Sequence, residues 1–366
     1  MKAQFVTAGI FAACLLAGTV NAQTATGLPL LSPVPQTGQL QDKPTATHFW
    51  FIAAGDNRPA DETKKQPETV ARILKDGARF NPSFYIWSGD TIAGFRTFGQ
   101  KIDRSRLEAQ YQEFFGIAAL AKVPVFNSPG NHEMDSIDTT STETSEKPDP
   151  GMQALYLEQM KFPADAPAYG AFNYGNSRFI AVDTEEVDTS LAVSSEGKTV
   201  VSNGKKLKLD PGFVSAQQIE LLTQDLEANQ DKAHIFVFMH HPIMPAGKSS
   251  GLKRSIADEL QALFLKYPNV SYVIAAHEHL YYNASGTTLV PSARLDPTSS
   301  GPTYLVSGGA GAPLDTCPAG AGSRCGAFYH YLVFEVDAAK VKVQVVQVRS
   351  TVKQKTISKA KTKALK

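Results

Sequence analysis

The chain has 366 residues, 36 of them Lys or Arg and 35 Asp or Glu, for a formal net charge of +1 at neutral pH. That length exceeds a minimal domain and allows one large α/β core. The even balance excludes a global field of the kind that draws a protein onto nucleic acid or an anionic membrane, so neither is expected as a partner.

Residues 1–22 read as a secretory signal peptide. Lys2 supplies a positive start, Phe5 to Ala17 an apolar stretch, and Val20-Asn21-Ala22 the approach to a cut after Ala22. The apolar run is short for a membrane anchor, so no stable insertion is expected. Phe11-Ala12-Ala13-Cys14 is an imperfect lipobox. Export to the periplasm or the cell exterior follows as the expectation. Residues 23–46 are rich in Thr, Pro, Gln and Gly and read as a linker or extended arm.

From residue 47 the pattern is that of one domain running to 350. His48 to Ala54 is an apolar run that predicts a buried strand, ending at Gly55-Asp56. Pro67 to Ala78 has helical spacing, with Val70, Ile73 and Leu74 on one face. Ser83 to Trp87 predicts a second strand, again ending in Gly-Asp at Gly89-Asp90. A helix over Leu107 to Ala121 and a strand over Val123 to Asn127 lead into Gly130-Asn131-His132-Glu133. Residues 134–150 are polar, with Pro148 and Pro150, and read as an inserted surface loop at the rim of the site.

Phe172 to Tyr174 and Arg178 to Asp183 read as strands paired across Gly175-Asn176. Val187 to Leu209 is a second insertion with hairpin-like alternation. Ser215 to Gln218 is a capping box opening a helix. His234 to Met239 and Val270 to Ala275 are buried strands that end in His240-His241-Pro242 and His277-Glu278-His279. Tyr304 to Val306 leads into Gly308-Gly309-Ala310-Gly311, and Phe328 to Val336 with Lys340 to Val348 form a closing ribbon. Residues 351–366 carry six Lys and no acid and read as a disordered basic tail. Cys317 and Cys325 flank a Gly-containing loop and predict a disulfide in an oxidising compartment. Strands alternating with helices early and pairing with strands later predict an α/β fold, a four-layer α/β/β/α sandwich of two mixed sheets flanked by helices.

Five motifs thus end strands in residues that ligate metals. Open α/β sheets place ligand sites at the carboxyl ends of their strands, so motifs far apart in sequence can converge. Carboxylate, amide and imidazole donors suit Fe, Zn or Mn alike. Each motif has a plain alternative. Gly-Asp is a common turn, His241 competes with His240 as ligand, and Glu133 reads as a hydrogen-bond partner rather than a ligand. His48, His234 and His330 lie within strands and read as ordinary core residues. Tyr281 and Tyr282 fit a pocket wall or the core equally. Gly308 to Gly311 is not a P-loop, since no Lys-Ser/Thr follows.

The ordered set resembles the calcineurin-like metallophosphoesterase superfamily, which includes purple acid phosphatases. Its pattern is D-x-H, G-D, G-N-H-[DE], a His before Pro, and G-H-x-H. The resemblance covers roughly residues 48–348. It implies a phosphoesterase acting on small-molecule phosphomonoesters, or phosphodiesters, through hydroxide held by two metal ions. It also implies that Asp90 bridges the metals, that Asn131, His240 and His277 complete the second, and that Asp56 and His279 hold the first. His132 is then the catalytic group that stabilises the transition state or protonates the leaving oxygen. Three positions depart from the pattern. Arg58 stands where D-x-H expects a metal-binding His, Ala93 stands where purple acid phosphatases supply a Tyr, and Ala276 stands, as a mild change, for the Gly of G-H-x-H. An arginine does not ligate a metal but can fork onto a phosphate oxygen, which makes Arg58 a candidate catalytic residue. The first metal is left one ligand short, with water or Asn57 as substitutes. That shortfall motivates one competing reading, a non-catalytic or single-metal protein that binds a phosphoryl ligand; a metallohydrolase of another bond, such as an amide, is a third.

Overall fold

A computed structural model of the chain describes residues 27–41, 43–94, 96–97, 103–138, 144–186, 198–202, 205–209, 211–247, 251–285, 294–295 and 301–348. The signal peptide with Cys14, and the basic tail, lie outside the described residues. The strands are β1 (His48–Ala54), β2 (Phe84–Ser88), β3 (Arg96–Thr97), β4 (Val125–Ser128), β5 (Asp135–Asp138), β6 (Thr144–Pro148), β7 (Gly170–Tyr174), β8 (Ser177–Ala181) and β9 (Lys198–Ser202), followed by β10 (Lys205–Leu209), β11 (His234–Phe238), β12 (Val270–Ala275), β13 (Tyr281–Asn283), β14 (Arg294–Leu295), β15 (Thr303–Ser307), β16 (Cys325–Gly326), β17 (His330–Asp337) and β18 (Lys340–Gln347). The helices are α1 (Glu68–Gly77), α2 (Arg104–Ala118), α3 (Asn131–Met134), α4 (Pro150–Met160), α5 (Ala216–Ala228) and α6 (Arg254–Leu265).

Two mixed sheets form the centre. One runs β14-β18-β17-β1-β2-β4 and the other β16-β13-β15-β12-β11-β8-β7. Period-2 alternation divides each strand between two cores. From β1 and β2, Phe51, Ala53, Phe84 and Ile86 face the opposite sheet, while Ile52, Ala54, Tyr85 and Trp87 face the helices. The layer between the sheets is aromatic: Phe51 stacks on Phe334 at 4.5 Å and meets Phe236 edge-on at 4.9 Å. Helices α1, α2 and α4 cover the first sheet through Ile73, Phe114 and Tyr156, and α5 and α6 cover the second through Leu222 and Leu260. Each such side chain, fully buried, contributes about 1.5–3 kcal/mol. The four-layer sandwich expected from the pattern is the fold observed.

Differences lie at the periphery. The stretch 134–150 is not a plain loop: β5 and β6 pair antiparallel, and β6 then pairs with β10 of the β9–β10 hairpin. The two polar insertions thus share a third sheet, ordered β3-β5-β6-β10-β9. The hairpin expected over 187–209 is observed as β9–β10, whereas 134–150 is too polar to advertise strands, because a partner distant in sequence completes its pairing. Residues 139–143, 187–197, 203–204 and 210 of these insertions lie outside the described residues. Helix α4 begins inside the polar stretch, with Pro150 in its first turn and the Asp149 side chain accepting from Gly151 N–H. The stretch 27–41 is an arm laid on the sheets, where Val34 N–H donates to Val125 O and Leu31 N–H to Ala171 O.

Candidate metal centre

Strands β1, β2 and β4 run parallel in one sheet, and β8, β11, β12 and β15 run parallel in the other. Their carboxyl ends open on one edge, where the five motifs meet. The turns are tight. Asp56, Asp90 and His277 all adopt left-handed backbone, with φ of 60°, 55° and 68°. A left-handed histidine is uncommon, and such strain concentrates at functional sites. The left-handed residue in two of these turns is therefore the aspartate itself, although at 89 the glycine adopts φ of 79° as well. Gly130 serves by its size: a Cβ there would lie 2.5 Å from Asp90 Oδ1.

Four donor atoms converge on one half of the centre. His240 Nε2 lies 3.0 Å from Asn131 Oδ1, 3.2 Å from His277 Nδ1 and 3.3 Å from Asp90 Oδ1. The His240 Nδ1–H donates to Ser88 O at 2.8 Å, which leaves Nε2 with its lone pair toward the cluster. This bond also joins the two sheets. His241 is turned away: its Nδ1 pairs with Glu185 Oε1 at 2.7 Å, and its ring lies 4.0 Å from that of His277. Of the two neighbours, His240 is the one that joins the donor cluster.

The other half has three donors. Ligand atoms of Asp56, Asp90 and His279 lie within 4.8 Å of one another, with His279 Nε2 at 3.5 Å from Asp56 Oδ1. His279 Nδ1–H donates to Pro313 O at 2.8 Å, again presenting Nε2. Asp56 is fully buried, and among the described residues neither of its oxygens accepts a hydrogen bond. Burial and the adjacent Asp90 charge push its pKa well above the carboxylate range. A buried carboxylate without a donor is costly unless a cation sits beside it, and this pair of orphaned oxygens fits a metal. Asn57 does not fill the gap: its amide oxygen accepts from Trp87 Nε1–H and its nitrogen donates to Gln66.

Arg58 occupies the space left by the absent histidine. Its Nε stands 3.5 Å from Asp90 Oδ2 and makes no hydrogen bond among the described residues. His132 Nε2 stands 3.8 Å from the same oxygen, and its backbone N–H donates to Asp90 Oδ1. Burial would raise the Asp90 pKa, but His132, His240, Arg58 and His279 together hold it well below its ordinary value. Burial depresses His132 to about 3 and also lowers His277 and His279. His132, His277 and His279 are thus neutral at pH 7, the form in which an imidazole ligates metals.

Glu133 holds the Asp90 turn. Its carboxylate accepts from the N–H groups of Asp90, Thr91, Ile92 and Gly130 and from the Thr91 hydroxyl. Burial and the Asp90 charge raise its pKa, and the donors oppose the rise. Three supports escaped the motif reading: Glu185 behind His241, and Pro313 and Asp315 behind His279. Glu185 follows β8 at a strand exit like the other motifs, a signal by which sequence could have found it.

A family model described as calcineurin-like phosphoesterase matches residues 47–281. Comparison with curated proteins finds no match. Among solved structures, the purple acid phosphatase PPD1 from yellow lupin (Lupinus luteus) seeds is similar with a TM-score of 0.57 at 17% identity, over 84% of this chain and 52% of that one. A dimetal phosphatase from Danio rerio is similar with a TM-score of 0.52 at 14% identity, over 86% of this chain and 97% of that one. At these identities the likeness shows the fold. The chain spans about half the length of the lupin structure.

Proposed function

Since the chain belongs to the calcineurin-like phosphoesterase family, by the match over residues 47–281, we propose that it is an exported hydrolase of small phosphate esters that works with two metal ions. Asp56, Asp90 and His279 would hold the first and Asp90, Asn131, His240 and His277 the second. Fe, Zn and Mn all suit these donors. Bound there, the metals would supply Lewis-acid charge at the phosphoryl oxygens and lower the pKa of a nucleophilic water. The observation that carries the proposal is the meeting of four donor atoms from both sheets around His240 Nε2.

The chain's own groups have distinct tasks. Asp90 presents Oδ1 to the four-donor half and Oδ2 to Arg58. Arg58, with no hydrogen bond on Nε among the described residues, neutralises a phosphoryl oxygen as a fork. His132 faces the same volume as a neutral imidazole and donates a hydrogen bond to the leaving oxygen. A bound anionic phosphoryl group raises its pKa toward proton transfer. Phosphomonoesters are the first substrate class and phosphodiesters the second. The Cys317–Cys325 disulfide supports export. No helix among the described residues is long and apolar enough to cross a membrane.

The test is hydrolysis of p-nitrophenyl phosphate and its bis ester with Zn²⁺, Mn²⁺ or Fe supplied. Turnover lost in Asp90→Asn and His240→Ala, with folding intact, is expected; full activity in both variants would sink the proposal. Arg58 in the histidine position favours one second reading, a single-metal protein that binds a phosphoryl ligand without turnover. Binding of phosphate with no hydrolysis under any metal would select it.

A further inference from the structure

His279 is held from behind by one short stretch of chain. Its Nδ1–H donates to Pro313 O at 2.8 Å, its backbone N–H to Asp315 Oδ2 at 2.9 Å, and its carbonyl accepts from Asp315 N–H at 3.0 Å. One residue earlier, Ala312 N–H donates to Asp56 O at 2.8 Å. The stretch 312–315 therefore touches two of the three residues in the sparse half of the centre.

Beyond Ala312, which is buried, that stretch is held chiefly by these bonds to the centre. Pro313, Asp315 and Thr316 are exposed and belong to no strand. The far limb of the same loop is anchored. Cys325 and Gly326 pair with Tyr282 and Tyr281 in β13, Ala321 is buried in a cluster with Leu280, Tyr282 and Val306, and the Arg324 guanidinium lies 5.4 Å from the Tyr282 ring centroid. The Cys317–Cys325 disulfide joins the two limbs.

We propose that Asp315 and the Cys317–Cys325 disulfide are positioning groups for His279, and that filling of the three-donor half of the centre depends on them. The proposal rests on the reading of His279 as a metal ligand. The physical argument is one of preorganisation. Partners outside the ligand shell fix the tautomer and aim of an imidazole, and losing one typically costs about 10–100-fold in metal affinity. A cross-link removes freedom from an exposed segment that burial does not restrain. A half-site with only three protein donors has no spare ligand to tolerate a wandering imidazole. In the four-donor half, His240 is fixed from the other sheet, by Ser88 O.

The experiment is equilibrium dialysis of the full chain against buffered Zn²⁺, with metal per chain read by mass spectrometry and folding checked by circular dichroism. Wild type, Cys317→Ser/Cys325→Ser, Asp315→Ala and Asp315→Asn are compared. Two ions in wild type are expected. In the double serine variant and in Asp315→Ala, one ion is retained at wild-type affinity and the other weakens by about tenfold or more. Asp315→Asn keeps an oxygen for the His279 N–H and rescues most of the loss, which a generally loosened fold would not do. Both ions bound at wild-type affinity in the serine variant and in Asp315→Ala would overturn the proposal. Fewer than two ions in wild type itself would overturn the underlying reading of the centre, and the proposal with it.

Discussion

The two halves of the metal centre rise from the same strand ends but are completed differently. Around His240 Nε2, a carboxylate, an amide and a second imidazole approach within 3.3 Å, and a main-chain carbonyl locks the tautomer. Around Asp56 there are three donors, two orphaned oxygens and an arginine in place of a fourth ligand. Ligand number therefore separates the halves more than residue type does. The complete half offers four donors, enough on the proposed reading to hold one ion. In the sparse half Arg58, a cation that on the proposed reading meets substrate, stands where a fourth ligand would stand.

The largest expected effect comes from removing what the halves share. Asp90→Ala takes an oxygen from each and leaves Arg58 unpaired, so both ions are lost. Forfeiting several kcal/mol of transition-state stabilisation corresponds to roughly 10³-fold in turnover. Activity within tenfold of wild type would break the comparison, since Asp90 would then not be common to the two halves. Glu133→Gln is next. The amide nitrogen would face N–H donors now bound to a carboxylate oxygen, at about 3 kcal/mol or more of stability. A lowered midpoint in urea denaturation checks it, and an unchanged midpoint would mean the Asp90 turn stands without Glu133.

A pH dependence of similar size comes from the wall beside Asp56. His330 is fully buried, donating from Nδ1 to Phe328 O and paired at Nε2 with the Ser307 hydroxyl, and burial lowers its pKa to about 4. An unfolded histidine takes its proton near 6.5, so between 6.5 and 4 the unfolded state binds more protons. Stability is full above pH 6.5 and falls on the order of 3 kcal/mol by pH 4. Thermal melts of metal-free protein measure this, and a slope unchanged in His330→Gln would assign it elsewhere. The smallest effect sharpens the comparison most. Arg58→His restores a fourth donor, so the sparse half should gain at least roughly tenfold in Zn²⁺ affinity while the complete half is unmoved.

Much of this architecture was legible in sequence, for identifiable reasons. Apolar runs ending in Gly-Asp or His mark strands whose carboxyl ends carry function, and β1, β2, β11 and β12 fall within a residue or two of those runs. The ligand candidates converge because parallel strands deliver them to one edge. What sequence did not show depends on contacts distant along the chain. The third sheet forms only because two polar insertions find each other, and α4 starts within a stretch that reads as loop. The Asn57 amide is spoken for by Trp87 and Gln66, which no local pattern reveals. The Ser215 capping box is observed in part: Ser215 Oγ accepts from Gln218 N–H, but Glu186 rather than Gln218 receives the Ser215 N–H. Pro313 and Asp315 carry no motif, because their role is set by a loop folding back on His279.

One measurement tests the asymmetry of the centre most directly: calorimetric titration of the metal-free chain with Zn²⁺, repeated in Arg58→His, with hydrolysis of p-nitrophenyl phosphate followed at each stoichiometry. Two sequential events in wild type, the weaker of them strengthened by Arg58→His and turnover appearing with the second, are the predicted result. Two equivalent events indifferent to position 58, or binding of no more than one ion with no turnover at saturation, would contradict it.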